Sequence, residues 1–348
     1  MLSLVTGSSG LLGRCLVERL KERAGDLRLI DLVAPDPDQA AHEFIRADVS
    51  DEDPVDAATR GVDVIYHLAA AQRMKPQFAS WSEQEIMQKN LDGARNVLRA
   101  AERAGVRKVV FVSSSGVYGV PRSLPCGEDH PAVPLGAYGR SKLLAEAACQ
   151  EACERGLDVT VFRPMSLFGP HMSGIFVMLF EWVRRGQPVY MLGRGLNRVQ
   201  TVSAWDVANA CVLASQSPST RGAIFNLGSE PETVPTVLDM VTALVDHAGT
   251  GSPIVPIPGL AVRAAARALG LVGKSPIVAE HYILADRSFI LDIEAVKASL
   301  DWAPRYDNTQ MMIDAYDWYA KAGEAYWQPI HPLVRLLGRL LPTRASRH

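Results

Sequence analysis

Tyr138 and Lys142 stand four residues apart in the segment Tyr138-Gly139-Arg140-Ser141-Lys142. This segment opens an apolar-periodic stretch, residues 137–155, that reads as a helix. Positions i and i+4 share a helix face, so the lysine ammonium can sit beneath the phenol. A free phenol has a pKa of about 10. Use as a base near pH 7 needs a drop of about 3 units, or about 4 kcal/mol of preference for phenolate. One unit charge at roughly 4 Å supplies about that much at an effective dielectric near 20. The pair can therefore take a proton from an alcohol while hydride leaves the same carbon. Ser113, Ser114 and Ser115 close a buried run, 109–112, upstream of the pair. One of these hydroxyls can hydrogen-bond the substrate oxygen beside Tyr138, and the others are expected to cap the turn.

Hydride chemistry needs an acceptor, and the N-terminal residues suit a dinucleotide. Residues 2–6 read as a strand, Gly7-Ser8-Ser9-Gly10-Leu11-Leu12-Gly13 as a glycine turn, and 11–23 as a helix. In that context Gly7, Ser9, Gly10, Leu11 and Leu12 face a pyrophosphate at the helix N-terminus, and Gly13 allows helix and strand to pack closely. Asp31 falls twenty-one residues after Gly10, near the end of a second strand, 27–32. A carboxylate there accepts from an adenosine ribose and repels a 2′-phosphate, so NAD is expected over NADP. No basic residue follows closely in Leu32-Val33-Ala34-Pro35-Asp36. Asp48 and Val49 end a third strand and can meet the adenine, although Asp48 serves equally as a turn cap. Leu68, Ala69 and Ala70 close a fourth, buried strand, 62–68, with side chains small enough for a cofactor to lie against backbone. Asn90, polar among apolar neighbours of a helix over 83–104, reads either as a support for Tyr138 or as a satisfied core amide.

These groups need a scaffold, and the alternation of strand and helix implies a parallel sheet with ligands beyond its carboxyl ends. A fifth strand spans 109–112 and a sixth 158–162. The fold class is α/β, built on a parallel sheet. The dinucleotide-binding domain is placed at 1–165, with a strand near 197–203 and a helix at 205–214 returning to it. Residues 166–322 form mainly the substrate domain, and 323–348 an amphipathic tail. In the second half, helices are expected over 175–185, 235–247, 292–300 and 308–320, with strands at 189–191 and 223–228, the latter leading back to the sheet. The proline-punctuated stretch 251–258 reads as extended backbone over the pocket.

The 348 residues leave ample core, and 48% hydrophobic with 21% charged content is ordinary for a globular protein. A formal net charge of −2, with basic residues unclustered, argues against a nucleic-acid partner. Cys15, Cys126, Cys149, Cys153 and Cys211 form an odd set without C-x-x-C, and Cys149/Cys153 read as packing residues one turn apart. A reducing, cytoplasmic location follows as an expectation. No histidine spacing suggests a metal site. The longest apolar run, 174–183, is interrupted by Glu181 and too short to span a bilayer. The amphipathic segment 331–341 is expected to pack on its own domain or a dimer partner, with a peripheral membrane contact as the alternative.

In combination, these motifs make the chain resemble an extended short-chain dehydrogenase/reductase, and more narrowly the NAD-dependent epimerase/dehydratase family, over residues 2 to about 320. The motifs are Thr6 to Gly13, His67-Leu68-Ala69-Ala70, Ser113 to Gly119, Tyr138/Lys142, and Arg163-Pro164-Met165-Ser166-Leu167-Phe168-Gly169-Pro170. The resemblance implies a Rossmann-type doubly wound parallel sheet followed by a smaller, mostly helical C-terminal substrate domain. It also implies an NAD-dependent enzyme with a Ser-Tyr-Lys set in which Ser114 is the serine and Ser115 its alternative; a homodimer is expected. Asn90, Ser113, Tyr138, Lys142, Arg163, Pro164 and Met165 are also expected around the cofactor. Ser114, Ser115, Tyr138, Ser166, Met172 and Arg198 are expected at the substrate. Dehydratases of this family carry an acid–base pair where this chain has Ser115 and Gly116, so dehydration is not expected. A nucleotide sugar is the leading small-molecule substrate, turned over by a dehydrogenase or an epimerase. The apolar wall of Met165, Leu167, Phe168 and Met172, and the echo of 3β-hydroxysteroid dehydrogenases in Arg163-Pro164-Met165, keep a lipophilic alcohol as the alternative. A non-enzymatic dinucleotide sensor would need an idle Tyr138/Lys142 pair.

Overall fold

The protein is described by a computed structural model over residues 1–322 except 24, 40, 73–77, 79, 173–174 and 260–282. The first half runs β1 (Leu2–Thr6), α1 (Leu11–Lys21), β2 (Asp26–Asp31), β3 (Glu43–Arg46), α2 (Glu52–Thr59), β4 (Val64–His67), α3 (Glu83–Ala104) and β5 (Lys108–Val112). It continues with α4 (Ala137–Arg155), β6 (Val159–Pro164), β7 (Ser166–Phe168), α5 (Ile175–Arg184), β8 (Val189–Leu192) and β9 (Thr201–Ser203). The described elements end with α6 (Ala204–Gln216), β10 (Ile224–Leu227), α7 (Val237–Ala248), β11 (Ile254–Ile257), α8 (Glu294–Leu300) and α9 (Asn308–Ala322).

Seven strands form one sheet in the order β10-β6-β5-β4-β1-β2-β3, every neighbouring pair parallel. Parallel strands covered on both faces read as continuous apolar runs, as residues 64–66 of β4 and 109–112 of β5 do. Leu4 of β1 packs with Val97, Ala101, Ala145 and Cys149 of α3 and α4, whereas the adjacent Val5 packs with Leu16 and Val17 of α1 and Cys211 of α6. Burying each such side chain contributes about 1.5–3 kcal/mol, so the sandwich of helices on both sheet faces dominates the stability. A third core, built on Phe180, Leu244, Met311 and Tyr316, joins α5, α7 and α9. All five cysteines are free thiols buried in the protein. No helix among the described residues is long and apolar enough to cross a membrane, and the segment 331–341 lies outside them.

Helix ends follow local chemistry. Ser82 and Glu85 form a capping box at the start of α3, which stops at left-handed Gly105. Thr236 and Asp239 cap α7 in the same manner, so that helix starts at Val237 rather than at Pro235. The helix α2 is absent from the sequence reading: Asp51, Glu52 and Asp53 mark its first turn, but eight residues give too short a periodicity to stand out.

One strand is placed differently from expectation. The 197–203 segment does not return to the large sheet; its β9 residues pair in parallel with β7. The edge beside β6 is taken by β10, with Ile224 opposite Val161 and Leu227 opposite Pro164. Helix α6 does pack against α1 on the large sheet. The extended stretch 251–258 supplies β11, paired with β8 in a two-stranded sheet.

The order of strands reverses between β1 and β4, the place where a doubly wound sheet opens a crevice. A buried clamp holds these two strand ends. Thr6 Oγ1 lies 2.7 Å from His67 Nδ1 and accepts from the Leu68 and Ala69 N–H groups at 3.2 Å. With both lone pairs of the hydroxyl taken, its hydrogen must go to Nδ1, which puts the imidazole proton on Nε2. Burial, reinforced by the Lys142 charge, pushes the His67 imidazole down to about 3. The lowered value means that the unfolded chain takes up a proton first as pH falls. The contribution of neutral His67 is complete above pH 6.5 and is lost on acidification towards 3, at about 1.4 kcal/mol per unit. Between pH 6.5 and 4, wild type should lose about 3 kcal/mol relative to His67→Gln. Chemical unfolding at several pH values measures this difference, and a gap that stays constant with pH contradicts it.

Candidate active site

The carboxyl ends of the strands open into one cleft of about 1530 Å³, beyond the roughly 300–1,000 Å³ of single-ligand pockets. There is room for a cofactor and a second molecule. The phenol and ammonium meet on its wall. Lys142, 4% exposed, donates from Nζ to the Val112 carbonyl at 2.7 Å, where β5 ends. The ammonium then stands 6.0 Å from the centre of the Tyr138 ring and 4.9 Å from that of Phe111. Both Tyr138 and Lys142 line the cleft.

The start of α4 is pressed onto the serine turn. A Cβ on Gly139 would lie 2.6 Å from the Gly116 carbonyl oxygen, so only glycine lets helix and turn touch at that place. Ser141 Oγ donates to the Tyr138 carbonyl at 2.7 Å and accepts from Asn90 Nδ2 at 3.0 Å. The Asn90 amide also exchanges hydrogen bonds with both backbone groups of Ala71. Asn90 is therefore a satisfied core amide and a brace for the tyrosine turn at once. Ser141 went unremarked in the sequence, although it sits one turn from Tyr138 on the same helix.

The three serines separate by what each hydroxyl does. Ser113 Oγ donates to Glu146, buried with Arg163. Ser114 Oγ accepts from the Gly116 N–H at 3.1 Å, which leaves its hydrogen able to donate. Ser114 and Ser115 both line the cleft.

The dinucleotide end is built from β1, α1 and β2. Gly10 N–H donates to the Gly7 carbonyl at 3.1 Å, and α1 begins without a side-chain cap or an acidic residue in its first turn. Its free N–H groups and dipole favour an anion. A Cβ on Gly13 would come within 2.2 Å of the Gly7 carbonyl oxygen, so α1 sits on the turn as closely as backbone allows. Asp31 accepts from Ser9 N–H and Val33 N–H, each at 3.0 Å, one on each carboxylate oxygen. Asp48 accepts from Ser50 N–H at 2.9 Å and pairs with Lys89 at 3.0 Å. Burial alone would raise its carboxyl, but the Ser50 and Lys89 contacts outweigh that and hold it below the usual range. Asp48 thus caps its turn and lines the cleft together.

Ser9, Leu11, Leu12, Val49, Leu68, Ala69, Ala70, Pro164, Met165, Ser166 and Met172 also reach the cleft. Two expected contacts are corrected. Arg163 is buried on the far side of β6, donating to Glu146, to the Tyr118 hydroxyl at 2.8 Å and to the Glu128 carbonyl at 3.0 Å. Side chains alternate across a strand, so Pro164 takes the cleft side instead. Arg198 is exposed and its neighbour Val199 lines the cleft, by the same alternation. Two residues passed over in the sequence are Glu146 and Arg14. Glu146 lies one turn beyond Lys142, and its type does not set it apart from Glu151 and Glu154 of the same helix. Arg14 lines the cleft, donates to the Ser9 carbonyl at 2.8 Å and pairs with Asp36.

This half of the cleft fits NAD. Gly7, Gly10 and the α1 N-terminus would hold the pyrophosphate, Asp31 the adenosine ribose, and Lys142 the nicotinamide ribose.

Comparison with known proteins follows the same line. The sequence model of the NAD dependent epimerase/dehydratase family matches residues 3–228. The protein y4nG of Sinorhizobium fredii is 35% identical over 320 residues, covering 91% of this chain and 78% of that protein. A UDP-glucose 4-epimerase of Mycolicibacterium smegmatis is 30% identical over 265 residues, covering 72% of this chain and 83% of its own. Among solved structures, a UDP-glucose 4-epimerase of Thermotoga maritima, crystallised with UDP-glucose, superposes with a TM-score of 0.76. It is 23% identical, over 92% of this chain and 99% of that one.

The tight approach at Gly13 is open to a direct test. Gly13→Ala should raise the dissociation constant for NAD by on the order of tenfold or more and destabilise the fold by about 1–3 kcal/mol, as overpacking does. Calorimetric titration checks the first figure, and an unchanged affinity contradicts the assignment of this turn.

Proposed function

The chain belongs to the NAD dependent epimerase/dehydratase family, and from that premise we propose that it moves hydride at a secondary alcohol or the corresponding ketone. The observation that carries this reading is the Lys142 ammonium, fixed on the Val112 carbonyl and 6.0 Å from the Tyr138 ring. NAD, when bound, supplies the two-electron acceptor or donor for the reacting carbon. Tyr138 takes the hydroxyl proton in the oxidising direction and returns it in the reducing one. Lys142 favours the phenolate form between these events. Ser114 donates to the substrate oxygen, with Ser115 as the alternative donor. If the carbon is oxidised and then reduced on opposite faces before release, the same groups give epimerisation without net redox change.

Water elimination is not part of the proposal, because Ser115 and Gly116 occupy the places where an acid–base pair would be needed. A nucleotide sugar is supported as substrate by the names of the epimerase relatives. A lipophilic alcohol is supported by the lining of the substrate half, considered below.

The test is Tyr138→Phe, which keeps the ring and removes the proton carrier. Turnover should fall by on the order of 10²–10⁴-fold while NAD affinity is kept. Steady-state kinetics with NAD titration would reject the mechanism if the variant turned over at the wild-type rate.

A further inference from the structure

The two halves of the cleft differ in kind. Among the described residues, every Asp, Glu, Lys or Arg that lines it lies at or before Lys142: Arg14, Asp31, Asp48, Glu83, Lys89 and Lys142 itself. Among the described residues beyond 142, the lining contains no Asp, Glu, Lys or Arg. Its polar groups there are Ser166, His171, Tyr190 and Thr201. The remainder is apolar, with Phe176, Leu179 and Trp182 from α5 and Val237 from α7 half-buried around the space.

Methionine is concentrated on this wall. Among the described residues six methionines line the cleft, namely Met165, Met172, Met178, Met191, Met240 and Met312. Unbranched thioethers adapt to irregular apolar shapes, and they recur on surfaces that accept varied hydrocarbon. A nucleoside diphosphate has the opposite needs. Its charges must be paired on leaving water, and burying unpaired charge costs several kcal/mol. Arg198, expected at the substrate, is exposed and does not line the space.

We infer that the substrate half of the cleft takes a lipophilic secondary alcohol or ketone, its hydrocarbon body lying in the methionine-lined chamber and its oxygen at Tyr138. The inference rests on the redox reading above and adds the substrate class to it. Burial of the apolar body at about 25 cal/mol per Å² supplies the affinity, and Ser114 with Tyr138 supplies the orientation. A rigid polycyclic alcohol and a flexible long-chain alcohol share this chemistry.

The experiment is isothermal titration of the full-length protein, loaded with NAD, against four probes: pregnenolone, a twelve-carbon secondary alcohol, UDP and UDP-glucose. At least one lipophile should bind with a dissociation constant tenfold or more below those of UDP and UDP-glucose. The steroid and the chain alcohol compared tell a rigid body from a flexible one. Leu179→Lys, which puts an ammonium on the chamber wall, should weaken the lipophile at least tenfold and strengthen UDP. Tighter binding of UDP or UDP-glucose than of either lipophile overturns the inference. So does no binding by both lipophiles, or a lipophile that binds only in competition with NAD. The redox reading fails by a different result, a Tyr138→Phe variant with full turnover, so the two can be told apart.

Discussion

A lysine ammonium hydrogen-bonded to the last carbonyl of a buried strand is the contact on which the arrangement depends. The bond from Lys142 to Val112 fixes a positive charge where the sheet ends, beside the Tyr138 ring. Nothing about the spacing of tyrosine and lysine alone would do this, because a lysine on a free helix face turns towards water. Here α4 is held down at three places. Gly139 lets the helix rest on Gly116, Asn90 reaches Ser141, and Glu146 with Arg163 holds Ser113 next to Val112. The buried Glu146–Arg163 pair sits directly below this point, where removal of either partner would leave an uncompensated charge.

The cleft joins two solvents in one space. Its N-terminal half is lined by charge and by backbone N–H groups, which suit an anionic, hydroxyl-rich dinucleotide. Its C-terminal half, where described, is lined by hydrocarbon and thioether. The boundary runs past Tyr138 and Ser114, the polar groups that must meet a reacting oxygen. This division arises from topology. Asp31 at the end of β2, Asp48 just after β3 and Lys142 of α4 face the crevice, while α5, α7 and β8 turn the inner sides of a third apolar core towards it.

Much of the cofactor side was legible in the sequence because its geometry is local. Gly7 to Gly13 are contiguous, Asp31 ends the next strand, and Tyr138 and Lys142 are one helical turn apart. Such spacings survive any packing of the remainder. The substrate side was less legible, since it is assembled from residues far apart in the chain. Which way Arg163 and Arg198 point depends on strand register, and one residue of slip reverses the side. The return of the 223–228 strand to the sheet, beside β6, is as expected, whereas three-residue β9 carries no sequence signal for its pairing with β7. The Ser113–Glu146 contact spans thirty-three residues and joins a strand end to a helix interior.

The central claim, that a fixed ammonium makes the Tyr138 phenol a usable base, has one most direct measurement. The pH dependence of kcat/KM reports the titration of the free enzyme's essential base. It should be compared between the wild-type protein and Lys142→Met, which keeps much of the side-chain volume and removes the charge. The account predicts that the acidic limb of the profile moves to higher pH in the variant, by on the order of one unit or more. A limb that stays in place, with activity otherwise retained, would show that the lysine charge does not act on the phenol.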